Sequence, residues 1–366
     1  MRWLAAAVTV IIIFGVRGHV RASESGELSP HSKTLDLALP TDNDALFQGA
    51  GPDFYQYVER DYHGEKSTPW EGGQYGFVRD PVETSAGIIY TRFHEGIDIR
   101  PLHRDGHGEP LDEVRAIADG KVVHTNFVPG YSNYGKYIVI EHHWDGSPYF
   151  SLYGHLRAVD VRAGQTVQRG EHIAVMGYTG EGINRERAHL HLELNLILNH
   201  RFEAWYKQVY EHDPNHHGIY NGINLTGMDI ARLYLALREK PSLTIPEFLA
   251  EEEMFYKVAI PKSRYFELPK LYRWMVSANA TPKEFASPDR FGVVDPVSWE
   301  VSFTRSGLPF KIEPSARRVR RPEIAYVKSS SLNASYLTNG VATGPPARAH
   351  FTEFGRQMMR LLIFPD

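Results

Sequence analysis

The chain has 366 residues, 42% of them hydrophobic and 23% charged, with a formal net charge of -4. This is globular composition with enough length for two domains, and it lacks the global basic field that marks a nucleic-acid binder. There is no cysteine, so disulfides, lipid attachment through cysteine and thiolate metal ligands are excluded as well.

The chain opens with Arg2 and an almost unbroken apolar run from Leu4 to Val16, and Val20-Arg21-Ala22 offers small residues where a signal peptidase reads. As a helix the run reaches roughly 20 Å, short of the ~30 Å bilayer core. Residues 1–22 therefore read as a secretory signal peptide, with an uncleaved membrane anchor as the alternative. Export places the protein in the periplasm or outside the cell. Residues 23–73 form a polar N-terminal extension with one aromatic patch, Phe54-Tyr55-Gln56-Tyr57, expected to pack partly on the β-rich segment after it.

From 74 to 199 the texture changes to short β-like runs punctuated by glycine. Val114 to Thr125 holds two apolar runs around Asp119-Gly120, Tyr137–Glu141 and Tyr149–Leu152 read as strands, and Gln165 to Met176 repeats the pattern around Arg169-Gly170. Such spacing predicts a compact antiparallel β domain. After Asn199 the period becomes helical. Ile230, Leu233, Tyr234 and Leu237 share a helix face, and Thr244-Ile-Pro-Glu247 has capping-box spacing with Pro in the first turn. Trp299 to Phe303 alternates like a strand, Ser306-Gly307 marks a turn, and Thr352 to Leu362 predicts a terminal helix. The expected architecture is mainly β, with a separate mixed α+β region over 200–366 whose role the sequence does not assign.

The chemistry sits in two short segments. Ala188-His-Leu-His-Leu-Glu-Leu194 alternates strictly, so in a strand His189, His191 and Glu193 share one face and the leucines enter the core. His94-Glu-Gly-Ile-Asp98 supplies two further donors, and Gly96 is expected to bend the backbone so that they converge. His94, Asp98 and His191 make a three-ligand site with the fourth tetrahedral position open, the pattern of a catalytic Zn2+. His155, at the end of the strand Tyr149–Leu152, and His189 then supply two metal-free imidazoles for proton transfer and oxyanion stabilisation. An HxH or an HxxxD alone arises readily by chance among 18 histidines; together on a β scaffold they carry far more weight. His142-His143 and His216-His217 read as surface or structural pairs, and His103 and His107 as solvated loop residues.

These motifs, with Ala118-Asp-Gly-Lys-Val, Tyr134-Gly-Lys-Tyr-Ile-Val-Ile140, Tyr153-Gly-His-Leu156 and Val161-Arg-Ala-Gly-Gln-Thr-Val167, resemble the lysostaphin/LytM-type zinc endopeptidases over about Gly87 to Leu198. The resemblance implies a β-rich metalloendopeptidase that hydrolyses peptidoglycan cross-link peptides, with zinc on His94, Asp98 and His191. It implies a catalytic role for His155 and His189, and Tyr134 and Tyr153 in the matched motifs are the expected substrate-binding residues. Two segments depart from the family pattern, the insert His103 to Glu109 and Gly180 to Ala188, and both are expected to reshape the groove. The alternative reading is a catalytically silent relative that activates another hydrolase. Expected partners are the wall peptide as substrate, no nucleic acid, and a membrane or envelope surface; Arg317-Arg-Val-Arg-Arg321 is a basic run that suits an anionic glycan or lipid, or simply solvent. Asp42, Asn43 and Asp44 are polar candidates for covering the metal from the extension.

Overall fold

The computed structural model describes residues 35–277 and 296–365; the expected signal segment, 1–22, lies outside the described residues. Hydrophobic alternation builds the central feature, an antiparallel sheet of seven strands. A preceding hairpin joins β1 (Gly76–Thr84) to β2 (Gly87–His94). The sheet itself uses β3 (Ile97–Ile99), β4 (Gly120–Asn126), β5 (Tyr137–Trp144), β6 (Ser147–Gly154), β7 (Thr166–Val167), β8 (Leu190–Ile197) and β9 (Leu225–Met228). Their order is β7-β4-β5-β6-β8-β9, with β3 also paired to β8. Leu190, Leu192, Leu194 and Leu196 alternate into the core beneath it.

The apolar runs around Asp119-Gly120 and Arg169-Gly170 do form strands, but each turn sends the chain from one sheet to another. Glu113–Arg115 and His172–Val175 pair in a separate three-stranded sheet, while β4 and β7 belong to the large one. The crossing is closed by Ala116 N–H donating to the Glu171 carbonyl at 2.9 Å and Gly170 N–H to the Ala116 carbonyl at 2.8 Å.

The extension is part of this fold. Phe54 is fully buried, and the backbone beside it pairs with β3: Gln56 N–H donates to Asp98 O at 2.8 Å and Arg100 N–H to Phe54 O at 3.0 Å. Beyond β8 come α1 (Phe202–Val209), α2 (Ile230–Glu239) and α3 (Ile245–Ala250), the last entered through the expected capping box at Thr244 and Glu247. Next in the chain is a four-stranded antiparallel sheet, of β10 (Tyr256–Pro261), β11 (Ser298–Phe303), β12 (Pro309–Ser315) and β13 (Glu323–Val327), in the order β12-β11-β10-β13. After β14 (His350–Phe351), the terminal helix α4 (Glu353–Ile363) starts at Thr352, whose hydroxyl accepts from Gly355 N–H. Among the described residues no helix is long and apolar enough to cross a membrane.

Candidate metal centre

The antiparallel register sets the site. β8 places His191 opposite Asp98 of β3 on one side and Gly154 of β6 on the other. Residues directly opposite in a sheet lie side by side on the same face, so Asp98 and His191 are neighbours by construction. At Gly154 a Cβ would lie 3.3 Å from His191 Cβ and 3.6 Å from Tyr134 Cβ, so its lack of a side chain lets Tyr134 pack beside His191. His94 ends β2, and the intervening Gly96 is needed for space. A Cβ there would lie 2.4 Å from the Leu192 carbonyl oxygen and 2.8 Å from Glu193 Cγ. Its φ is not in the left-handed region, so close approach to β8, and not a special bend, is what glycine supplies.

The three donor atoms form a near-regular triangle. His94 Nε2 lies 3.1 Å from Asp98 Oδ1 and 3.2 Å from His191 Nδ1, and His191 Nδ1 lies 3.0 Å from Asp98 Oδ1. Tetrahedral zinc with bonds of about 2.0–2.1 Å needs donors roughly 3.3 Å apart, so a cation fits this triangle with little movement. All three side chains are buried. His189 Nε2 also approaches Asp98 Oδ1, at 3.4 Å. Yet of the five histidine and aspartate positions, His94, Asp98 and His191 are the group whose donors all lie within 4.8 Å of one another.

Each imidazole is fixed from behind. His94 Nδ1–H donates to the Gln74 carbonyl at 2.7 Å, His155 Nδ1–H to Thr179 O at 2.8 Å, and His189 Nδ1–H to Arg187 O at 2.6 Å. A carbonyl only accepts, so each Nδ1 carries its proton and each Nε2 is left with a lone pair. His191 is turned the other way: Nε2 meets Glu193 Oε1 at 2.8 Å and frees Nδ1 for the triangle. His155 and His189 sit with ring centroids 4.7 Å apart. His155 holds a left-handed φ of 61°, uncommon for a residue with a side chain and a form of strain that gathers at functional sites.

Electrostatics favour positive charge in the triangle. Burial alone would raise Asp98, but His94, His189 and Arg79 overcome it and hold the carboxyl well below its ordinary value. Burial opposes a proton on His191, yet hydrogen bonds to Asp98 and Glu193 push it up to about 10. Negative charge thus flanks this ring on both sides, from Asp98 at Nδ1 and Glu193 at Nε2. Burial, with His189 and His191 after it, holds His155 well below the usual histidine value, so it stands neutral and able to accept a proton.

A cleft of about 610 Å³ opens over these residues. Its walls include Glu181, Gly182, Ile183 and Arg187 from the second departing segment, and Val58 to Asp61 and Val78 to Pro81 from the extension and β1. The insert around His103 braces that wall from outside. Arg104 donates to the Arg185 and Glu186 carbonyls at 2.7 and 3.1 Å.

Tyr134 lines the cleft, its hydroxyl donating to Glu95 at 3.0 Å. Tyr153 does not, which corrects its expected place beside the substrate. Tyr153 pairs with Leu192 and so faces the core, where its hydroxyl accepts from Ile117 N–H at 2.9 Å. Asp42, Asn43 and Asp44 also lie elsewhere. Asp42 pairs with Arg115, Asn43 ties Asp53 to Arg100, and Asp44 accepts from Gln48. The paired histidines are structural: His142 is buried between Asp119 O and Ser151 Oγ, His143 meets Glu141, His216 stacks on Tyr131, and His217 bonds Tyr137.

Three residues at the site were not singled out for it by the sequence. Arg79 of β1 donates through Nη2 to Asp98 Oδ2 at 2.6 Å, and its Nε–H is held by Gly72 O at 2.9 Å. Gln74 orients His94 through its carbonyl, and Glu193 orients His191. For Glu193 a signal existed, since alternation puts it on the face of His191.

Residues 92–202 match the model of peptidase family M23. That segment, less than a third of the chain, is similar to M23 peptidases. A Haemophilus influenzae protein named an uncharacterized metalloprotease is 36% identical over 134 residues, 33% of this chain and 25% of that protein. A Pseudomonas aeruginosa NlpD/LppB lipoprotein homologue is 37% identical over 116 residues, 30% of this chain and 34% of that protein. The murein hydrolase activator EnvC of Escherichia coli is 40% identical over 68 residues, 19% of this chain and 15% of EnvC. The match thus spans a third or less of this chain, and about a quarter to a third of the first two relatives. Among solved structures, the catalytic domain of lysostaphin from Staphylococcus simulans is similar at 28% identity and a TM-score of 0.23, over 36% of this chain and 86% of that one. A zinc-containing peptidase from Vibrio cholerae is similar at 24% identity and a TM-score of 0.28, over 44% of this chain and 37% of that one.

Proposed function

We propose that the protein is an exported, zinc-dependent endopeptidase that hydrolyses peptide cross-links of peptidoglycan. In this reading residues 74–199 carry the peptidase site and 200–366 a mixed α+β region that lends β9 to its sheet. The observation that carries it is the convergence of His94, Asp98 and His191 donors within 3.2 Å of one another beside two further oriented imidazoles. His94, Asp98 and His191 would hold the zinc. Bound zinc supplies a Lewis acid that polarises a peptide carbonyl and lowers the pKa of water toward about 7.

The remaining work falls to the chain. His155 and His189 present Nε2 to the cleft, their Nδ1–H groups anchored on Thr179 O and Arg187 O. Either ring can accept the proton of the attacking water at Nε2, and the ring that has taken it up can then donate it to the oxyanion or the leaving amine. Glu193 and Gln74 keep the ligand rings in their tautomers. Tyr134, kept protonated by burial and by Glu193 and Glu95, forms the polar wall beside His191.

Purified protein should release soluble muropeptides from sacculi and stop on chelation, and His191→Ala should be inactive. An active His191→Ala would remove this assignment. A second reading, a silent activator of another hydrolase, is favoured by the likeness to EnvC. It requires that the protein alone release nothing and that release begin when a partner hydrolase is added.

A further inference from the structure

A second cavity, of about 500 Å³, shares no lining residue with the cleft. One side is a single face of α4, where Arg356, Met359, Arg360 and Ile363 recur at i, i+3, i+4 and i+7. The other is the loop Arg320-Arg321-Pro322 that leads into β13, beside the end of β10. Two elements far apart in sequence thus bring four guanidinium groups to one hollow, in a chain whose net charge is -4.

Of the four, Arg356 is the one met by a carboxylate among the described residues. Arg356 is met by Glu353 at 2.6 and 3.0 Å, and Arg360 by the neutral amide oxygen of Gln208 at 2.6 Å. Arg320 and Arg321 are exposed and have no ion pair among the described residues. No carboxylate lines the cavity among the described residues. Like charges at i and i+4 repel on a helix, so an anion held between them relieves a cost that the fold carries.

The floor decides which anion. Phe351, Met359 and Ile363 line it, and they offer neither donors for a sugar nor a reason to bind a bare ion. Guanidinium groups meet phosphate through two parallel hydrogen bonds. A rim of arginine over an apolar floor matches a phosphate that carries a hydrocarbon chain. We propose that this face docks on an anionic phospholipid surface, with the four arginines on headgroup phosphates and the floor against the top of an acyl chain. The proposal does not depend on peptidase activity. A basic run by itself is commonly just a solvated face; the second pair of arginines and the apolar floor between them are what set this one apart.

The test is flotation of the full chain with vesicles of phosphatidylcholine alone or with phosphatidylglycerol. The run Leu4–Val16 is common to all variants, so only differences between variants count. Each arginine near an anionic surface is worth roughly fivefold in partition, so Arg320→Ala/Arg321→Ala should lower binding to anionic vesicles roughly 25-fold. Both side chains are exposed, and the melting temperature should not move. Lys121→Ala/Arg162→Ala, an equal charge change on exposed positions outside the cavity, should leave binding nearly intact. No preference for anionic vesicles, or an equal loss in that control pair, overturns the proposal. Competition by glycerol phosphate as strong as that of short-chain phosphatidylglycerol overturns it too, because the site would then read a soluble anion.

Discussion

Four imidazoles share one small volume, and each spends one nitrogen on an outward hydrogen bond: three on backbone carbonyls and His191 on Glu193. This division of atoms predicts a division of roles. His155→Ala and His189→Ala should keep their metal and lose roughly 10²–10⁴-fold in turnover, the usual contribution of a positioned acid or base. Asp98→Ala should lose the metal itself. Metal content of the three purified variants tests the split, and loss of metal from His155→Ala would contradict it. Arg79 belongs to neither group. It occupies Asp98 Oδ2 and leaves Oδ1 to face the histidines, so it orients a ligand without touching the triangle. Arg79→Met should weaken metal affinity about 10–100-fold, as removal of a ligand's hydrogen-bond partner commonly does. Arg79→Lys should recover only part, because one ammonium cannot repeat the fork to Asp98 and Gly72. A chelator titration matching wild type would reduce Arg79 to a bystander. Short spacing links His94 to Asp98 and strand parity links His189 to His191, while the meeting of these pairs with each other and with His155 is expected from the family resemblance of the motifs. Arg79 is not legible in the sequence, since a hairpin returns it to Asp98 from 19 positions away. The place of Tyr153 is hidden for a related reason: whether a strand residue meets His191 or Leu192 depends on register, which the motif does not state.

At the scale of elements, the extension acts as a strand of the site. Its backbone bonds reach Asp98 O and Arg100 N–H, the two residues that flank Ile99 in and beyond β3. Phe54 is buried at their centre, with Tyr55 packed edge-on against it at 5.0 Å. Phe54→Ala should therefore cost about 3–5 kcal/mol of stability, and metal affinity should fall with it because β3 carries Asp98. Deleting residues before Trp70 should lower the melting temperature and should not raise activity. A gain in activity would show instead that the segment is an inhibitory cover. Helices and strands with strong periodicity are readable: the capping box at Thr244, the α2 face and the strand at Trp299 all stand as expected. The sheet partners of Val114 and Ile173 are not, because a turn signal reports a change of direction and not which sheet receives the chain.

At the scale of the molecule, the question is what protects the strand that holds His191. β3 covers the first half of β8, and β9, which comes from beyond residue 199, covers the second half at Leu194–Ile197. Tyr272 adds a hydroxyl that accepts from Ile197 N–H at 2.8 Å, and Asn199 donates to the Leu361 carbonyl at 2.7 Å. A chain ending at Asn199 would leave that half of β8 as an open edge with unpaired N–H and C=O groups, the state that invites aggregation. It would also bare apolar surface on Leu196 and Leu198, both now in the core. The fragment 1–199 should melt several degrees below the full chain, and its amides at Leu194–Ile197 should exchange far faster. Exchange should change less at His191, which stays paired with Asp98 and Gly154 on two flanks. A fragment with an unchanged melting temperature and full muropeptide release would mean that the C-terminal region is an attachment with its own purpose. A destabilised fragment that keeps its metal would place that region among the supports of the peptidase sheet, acting on the site through the edge it covers.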